Sequence, residues 1–469
     1  MNRSKRLCAL LGVLVAVCGA TLILLHTEER REKIKNSGEV ILEIPGDAVT
    51  ALSWEYGGTA LAFHREEAWV YDRDGAFPVS GEKIGELLEQ FRSFRAAFVI
   101  EDVEDYGQYG LDNPICTIDI STEERSYRIL LGDYSQMDSQ RYVSIGDGNA
   151  YLAQSDPLDC FDVGLNQLME NDRIPGLEHV TELRFAGDEN YSVVYEEDSP
   201  NARSSADVYF VRQNGKNLPL DTSRVDSYLW LIRSMSLNNC VSYSAAEEEL
   251  SSYGLDNPDL SVSVTYIPES GEEEPEENTF TLHISRDAET KKAMAEAEKK
   301  GDDGGDEISA AYVRVDGSRI IYEISADRYR QLMAAACDDL RHTSVFWADF
   351  ADVYQIDISL DGSLYTFISK EDGGERIWSY QGEELEIGDL RSALESLTAE
   401  TFSSELPAQK REIGLTLFLD NEHFPEIRVE LYRCDGRHCL AVVDGESVSL
   451  VERTAVVDLI EAVYAIVLD

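Results

Sequence analysis

The chain has 469 residues, 43 % of them hydrophobic, and a formal net charge of −49 from 90 acidic against 41 basic side chains. That length has room for about three domains of about 150 residues each, and the apolar share is enough to give each a core. A field of this sign repels nucleic-acid phosphates and anionic lipid headgroups, which makes both poor partners, and leaves cationic partners and divalent metals open.

The N-terminus begins "MNRSKR" and continues as an uncharged run from Leu7 to Leu25. As a helix that run is about 28 Å long, close to one hydrocarbon core. Arg3, Lys5 and Arg6 should stay cytoplasmic, which places residues 27–469 outside the membrane. The rival is a cleaved signal peptide, but the run is longer than a usual signal core and no clean small-x-small site precedes "HTEERREK". A lipid attachment at Cys18 has Val17 where a small residue is expected. The reading is a single-pass anchor (residues 1–26), a linker (27–39) and an extracytoplasmic remainder.

Three repeat units follow, at 40–172, 173–345 and 346–469. Each opens with two strand-like runs: "VTALSWEY" and "TALAFHRE", then "VTELRFAG" and "YSVVYEE", then "YQIDISLDG" and "LYTFISKE". Each continues with an amphipathic helix, for which Ser80, Asp221 and Asp389 are the expected N-caps. Alternating strands and a hairpin with Asp-Gly-like turn pairs come next, then a closing helix. The fold class is α+β: three tandem antiparallel sheets with packed helices, in the order β-β-α-β-β-β-β-α. The second unit also carries two acid-rich insertions, 268–278 and 286–307.

The word "YGLDNP" occurs twice, as Tyr109, Gly110, Leu111, Asp112, Asn113, Pro114 and as Tyr253, Gly254, Leu255, Asp256, Asn257, Pro258. Every letter has a conformational use. Glycine permits a left-handed backbone, leucine pins the turn to a core, and aspartate closes an Asx-turn. The residue before proline is held extended, and proline opens a strand. In the third unit the word has decayed to "EIGLTLFLDN", where Gly414 and Leu415 remain. A structural turn fits one unit doing without it; a catalytic loop does not.

The hexapeptide, the alternating strands after it and the N-terminal anchor resemble the family called domain of unknown function 4340. The likeness covers most of residues 40–340 as two copies, and the rest more weakly. The first copy also has "ILLGD", with the leucine-glycine step of that family at Gly132, where the second has "LHISRD". The resemblance implies no activity and no catalytic residues. It does imply an accessory role beside ABC-transporter permease and ATPase components of the gliding-motility type.

The sequence offers little independent chemistry. "SGEK" fits S-x-x-K with Ser80 and Lys83, but lacks a K-T-G partner, and Ser80 sits where a helix needs a cap. Cys434 and Cys439 in "CDGRHC" face each other across a short loop, which leaves a disulfide, two free thiols or, with His438, an incomplete metal site. "DRDG" (Asp72–Gly75) and "GDDGGDE" (Gly301–Glu307) lack the EF-hand spacing. No catalytic, cofactor or metal residue is assigned. Two functions remain: a membrane-anchored, non-enzymatic scaffold for an envelope transporter, or an extracytoplasmic binding module for a glycan, a peptide or a divalent cation.

Overall fold

A computed structural model describes residues 38–101, 103–213, 216–269, 276–293, 310–373 and 375–468. The Leu7–Leu25 run lies outside them, and no described helix is long and apolar enough to cross a membrane. The chain divides into two compact units, one ending at Asp172 and one spanning Arg173–Asp469. The first contains one antiparallel sheet of nine strands; the second contains two more of the same size.

The second and third sheets share one topology, strand for strand. In the second, a four-strand meander (His179–Gly187, Asn190–Tyr195, Tyr209–Gln213, Lys216–Pro219) leads into the helix Thr222–Arg233. The short strand Cys240–Ser242 then crosses to the far edge, and a second meander (Leu260–Ile267, Asn278–Arg286, Ala311–Val315, Ile321–Ile324) fills the gap between. The two meanders meet where His179–Gly187 pairs with Leu260–Ile267. The first sheet has only three strands in its first meander and gains Glu39–Leu42 at the opposite edge, paired with Phe94–Ile100.

The expected element order therefore missed the later strands of each first meander and the crossing strand after each helix. These segments are short, and several lie at sheet edges with little alternation to reveal them; Lys216–Pro219 even includes a proline, which an edge strand tolerates.

Each sheet packs one face against its helix. Ile84, Leu87, Leu88 and Phe91 form a buried stripe on Gly81–Arg92, and Val225, Tyr228, Leu229 and Ile232 repeat that spacing on Thr222–Arg233. Asp221 caps its helix as expected, accepting from the N–H groups of Ser223 and Arg224. Ser80 holds the N-cap position without a side-chain cap bond; it is buried, and its own N–H donates to Leu168 O. Asp389 falls inside the first turn of Gly388–Glu395, and the cap position belongs to Ile387. The first closing helix shrinks to Leu158–Phe161 and a 3-10 turn at Leu165–Leu168, where Gly164 interrupts the run.

The insertions fall on hairpin links of the second unit. Thr122 and Ser126 bound a three-residue link in the first sheet, whereas the matching link in the second runs from Ile267 to Asn278. The second insertion occupies the next link, between Arg286 and Ala311, and most of it, including Gly301–Glu307, lies outside the described residues. Loop-closure entropy grows slowly with length, so replacing residues 268–277 by a three-residue turn should change unfolding free energy by only about 1 kcal/mol, measured by urea titration.

Candidate functional site

The two hexapeptides form the same corner. A 3-10 turn, Tyr106–Tyr109 or Ser251–Tyr253, ends on Gly110 (φ 67°, ψ 17°) or Gly254 (φ 68°, ψ 8°), both left-handed. Leu111 and Leu255 are each 3 % exposed and anchor the corner. The tyrosines pack against partner rings, Tyr109 tilted on Tyr142 and Tyr253 edge-on to Tyr312, each pair with ring centroids 4.9 Å apart. The side-chain bond that caps the first corner comes from Asp105, which accepts from Gly107 N–H at 3.0 Å. Asp112, Asn113, Asp256 and Asn257 are exposed, and the strands begin two residues beyond Pro114 and Pro258, at Cys116 and Leu260.

What each corner packs against explains the repeat. Cys116 pairs with Leu131 and Leu260 with Ile284, so the next residues, Gly132 and Ser285, occupy equivalent places. A Cβ on Gly132 would stand 2.2 Å from Tyr109 O. In the second copy the buried Ser285 donates its hydroxyl to Gly254 O at 3.0 Å. One copy makes room for a carbonyl; the other bonds one.

Around the second corner, Asp259 accepts from Arg286 (backbone N–H and Nε, both 3.0 Å) and from Tyr329 Oη at 2.8 Å, and Lys291 Nζ lies 3.2 Å away. Burial opposes its charge, but the bonds from Arg286 and Tyr329 outweigh burial and hold the carboxyl below its ordinary range. Lys291 also donates to Gly254 O and Asn257 O. The cluster clamps corner, hairpin and closing helix together. In the third unit Gly414 lies within the strand Arg411–Leu419, paired with Ser359 and Glu430, so it marks no corner at all.

Ser80 and Lys83 are likewise structural, Lys83 Nζ donating to Met169 O at 2.9 Å. Cys434 and Cys439 are free thiols. Cys439 points into the core, where burial pushes its thiol up to about 12. Beside it, His438 sits between Glu400 (Nε2 to Oε2, 2.7 Å) and Asp435 (Nδ1 to Oδ2, 3.0 Å). Among the described residues no group of three or more His, Cys, Asp or Glu is placed to hold a metal ion.

The second compact unit also contains a junction between its two sheets. The loop after Asn190–Tyr195 reaches the third sheet, where Asp349 accepts from Ser204 Oγ (2.9 Å) and from Ser205 N–H and Oγ (3.0 Å each). Arg203 Nη2 donates to Asp444 at 2.8 Å, and its Cζ lies 4.6 Å from the Trp347 ring centroid. His342 stacks on Trp347 at an interplanar angle of 6° and bonds the buried Asp207 through Nε2 at 3.0 Å. A cleft of about 110 Å³ opens here, with Val211, Leu218 and Pro219 on one wall and Val443 and Val448 on the other. Arg203 and Trp347 were invisible as a pair in the sequence, because 143 intervening residues separate partners of unremarkable local context.

The family model described as domain of unknown function (DUF4340) matches residues 69–201 and 211–416. The chain belongs to the DUF4340 family. Both matches include a hexapeptide corner, and the second extends through the junction into the third sheet. No curated protein and no solved structure matches the chain.

Two outcomes are expected. Gly132→Ala should destabilise the first unit by about 1–3 kcal/mol, since its new methyl meets a backbone oxygen, while Ser285→Gly should be milder; thermal melts compare them. His438 is raised above its ordinary 6.5 by its bond to Asp435, with burial acting against and Glu400 adding to it. A raised histidine contributes stability fully below 6.5 and loses it as pH climbs through the folded value. The Tm gap between the parent protein and His438→Gln should therefore be widest near pH 6 and close toward pH 9.

Proposed function

We propose that this DUF4340 protein is a membrane-anchored, extracytoplasmic, non-enzymatic scaffold that serves as an accessory component of an envelope ABC-transporter system of the gliding type. The observation that carries the reading is the use made of the repeated residues. Gly110 and Gly254 turn the chain, Leu111 and Leu255 anchor it, and Gly132 and Ser285 receive the corner, so the most distinctive word in the sequence specifies shape. The uncharged Leu7–Leu25 run, with Arg3, Lys5 and Arg6 before it, supports the anchor and its orientation. The family resemblance supports the transporter partner.

A second reading, an extracytoplasmic binding module, is favoured by the cleft at the junction of the second and third sheets, where donors on Arg203 and Trp347 are buried without an acceptor among the described residues.

For the scaffold, the intact chain should fractionate with membranes, and protease added from outside should digest residues 27–469. Crosslinking in membranes should recover permease and ATPase subunits together with the chain. A soluble, N-terminally shortened product, or crosslinking that yields neither subunit, overturns it.

A further inference from the structure

We propose that the cleft between the second and third sheets is a binding site for a short carboxylate, its two oxygens bonded by Arg203 Nη1 and Trp347 Nε1 and its short apolar body held between the sheet walls. The inference rests on the binding-module reading and is independent of the scaffold.

The donors come first. Arg203 Nη1 and Trp347 Nε1 are both buried, and neither has a hydrogen-bond partner among the described residues. A buried N–H left unbonded costs about 1–3 kcal/mol, more on a charged group, so two at one place are expensive unless something accepts from them. They belong to one site, since the guanidinium carbon lies 4.6 Å from the indole centroid, and both residues line the same cleft.

The position of each donor is fixed by other contacts. Arg203 is tied through Nη2 to Asp444, its backbone N–H donates to Asp207 at 3.0 Å, and its guanidinium also lies 5.3 Å from the Phe424 ring. Trp347 is held by its stack on His342, whose Nε2 is in turn fixed by Asp207. The side chain of Arg203 is 15 % exposed, and these contacts hold both groups in place before any ligand arrives. Preorganised donors of this kind lose little freedom on binding.

The ligand class follows from what the site offers. Two N–H donors, one of them on a guanidinium, ask for acceptor oxygens, and a carboxylate supplies two in a plane suited to that geometry. A divalent cation is repelled by the same groups. Arg341, paired with Asp338, and Glu446 also line the cleft, so the selection for a carboxylate rests on the two unpaired donors. Val211, Pro219, Val443 and Val448 want a few apolar carbons. A volume of about 110 Å³ suits a body of two to four carbons. Such a carboxylate comes from a free short-chain acid or from the C-terminus of a peptide, and two probes separate them.

The test uses the full-length protein in detergent at constant ionic strength, titrated with sodium propionate, with N-acetylalanine and with 1-propanol as the apolar control. Binding is read by calorimetry and by the indole N–H resonances, of which Trp347→Phe identifies one by its loss. We expect saturable propionate binding that moves the Trp347 resonance, no response to 1-propanol, and a loss of about tenfold or more in affinity on Arg203→Lys or Trp347→Phe. Tighter binding of N-acetylalanine than of propionate assigns the site to a chain end; the reverse assigns it to a free acid. The shift of the indole resonance in the unaltered protein keeps the test valid if a variant melts early. No saturable binding by either acid, or binding that leaves the Trp347 resonance unmoved, overturns the proposal and gives the two donors to water. Either result leaves the membrane and crosslinking experiments to judge the scaffold separately.

Discussion

In the first two sheets the register depends on one close approach, that of a left-handed corner to the second strand of the hairpin behind it. At Gly132 the carbonyl of Tyr109 comes so near that a Cβ would stand 2.2 Å away, and at Gly254 an added Cβ would stand 2.3 Å from Arg286 O. Backbone meets backbone in both copies with nothing between. Because that contact fixes where the strand after the corner starts, it also fixes which residues face inward along Cys116–Thr122 and Leu260–Ile267. Ile118, Ile120, Val262 and Val264 are fully buried as a result.

The two copies solve the same packing problem with different chemistry. Gly132 removes a side chain, whereas Ser285 keeps one and donates its hydroxyl to the corner. Asp259, Arg286, Lys291 and Tyr329 then add a charged clasp that the first copy replaces with the exposed Ile115 in the position after proline. The third sheet dispenses with the corner and still reproduces the topology of the second. Meander order is therefore set by the hydrophobic alternation of the strands, and the corner refines the register.

Much of this was legible in sequence. Alternation in "TIDIS", "VRVDG" and "FTLHI" and the helical spacing of apolar residues pointed to antiparallel sheets with packed helices, and the glycine of the hexapeptide to a left-handed turn. The edge strands were not legible, because three or four residues such as Trp69–Tyr71 carry no period. Asp105 as the capping side chain escaped notice because the hexapeptide contains its own aspartate. Gly414 was misleading because a Gly-Leu pair inside a strand looks like a remnant of a turn. The cleft was out of reach of pattern altogether: its walls come from two different sheets, and only the folded chain brings Arg203 beside Trp347.

The crossing strand after each helix sets the order in which a sheet reaches completion. Cys240–Ser242 finds its place only against Ile321–Ile324, and Ala399–Phe402 only against Glu446–Glu452. As the chain is synthesised, the first meander and helix of the second and third sheets precede a strand with no neighbour to pair with until the last hairpin has been made. Non-local closure of this kind is slow, and it comes late. The last strand of each repeat thus acts as a latch. A chain truncated before Ile321 keeps the front half of the second sheet and loses the strand that Cys240–Ser242 must meet, leaving a nascent edge for chaperones or neighbouring chains to find.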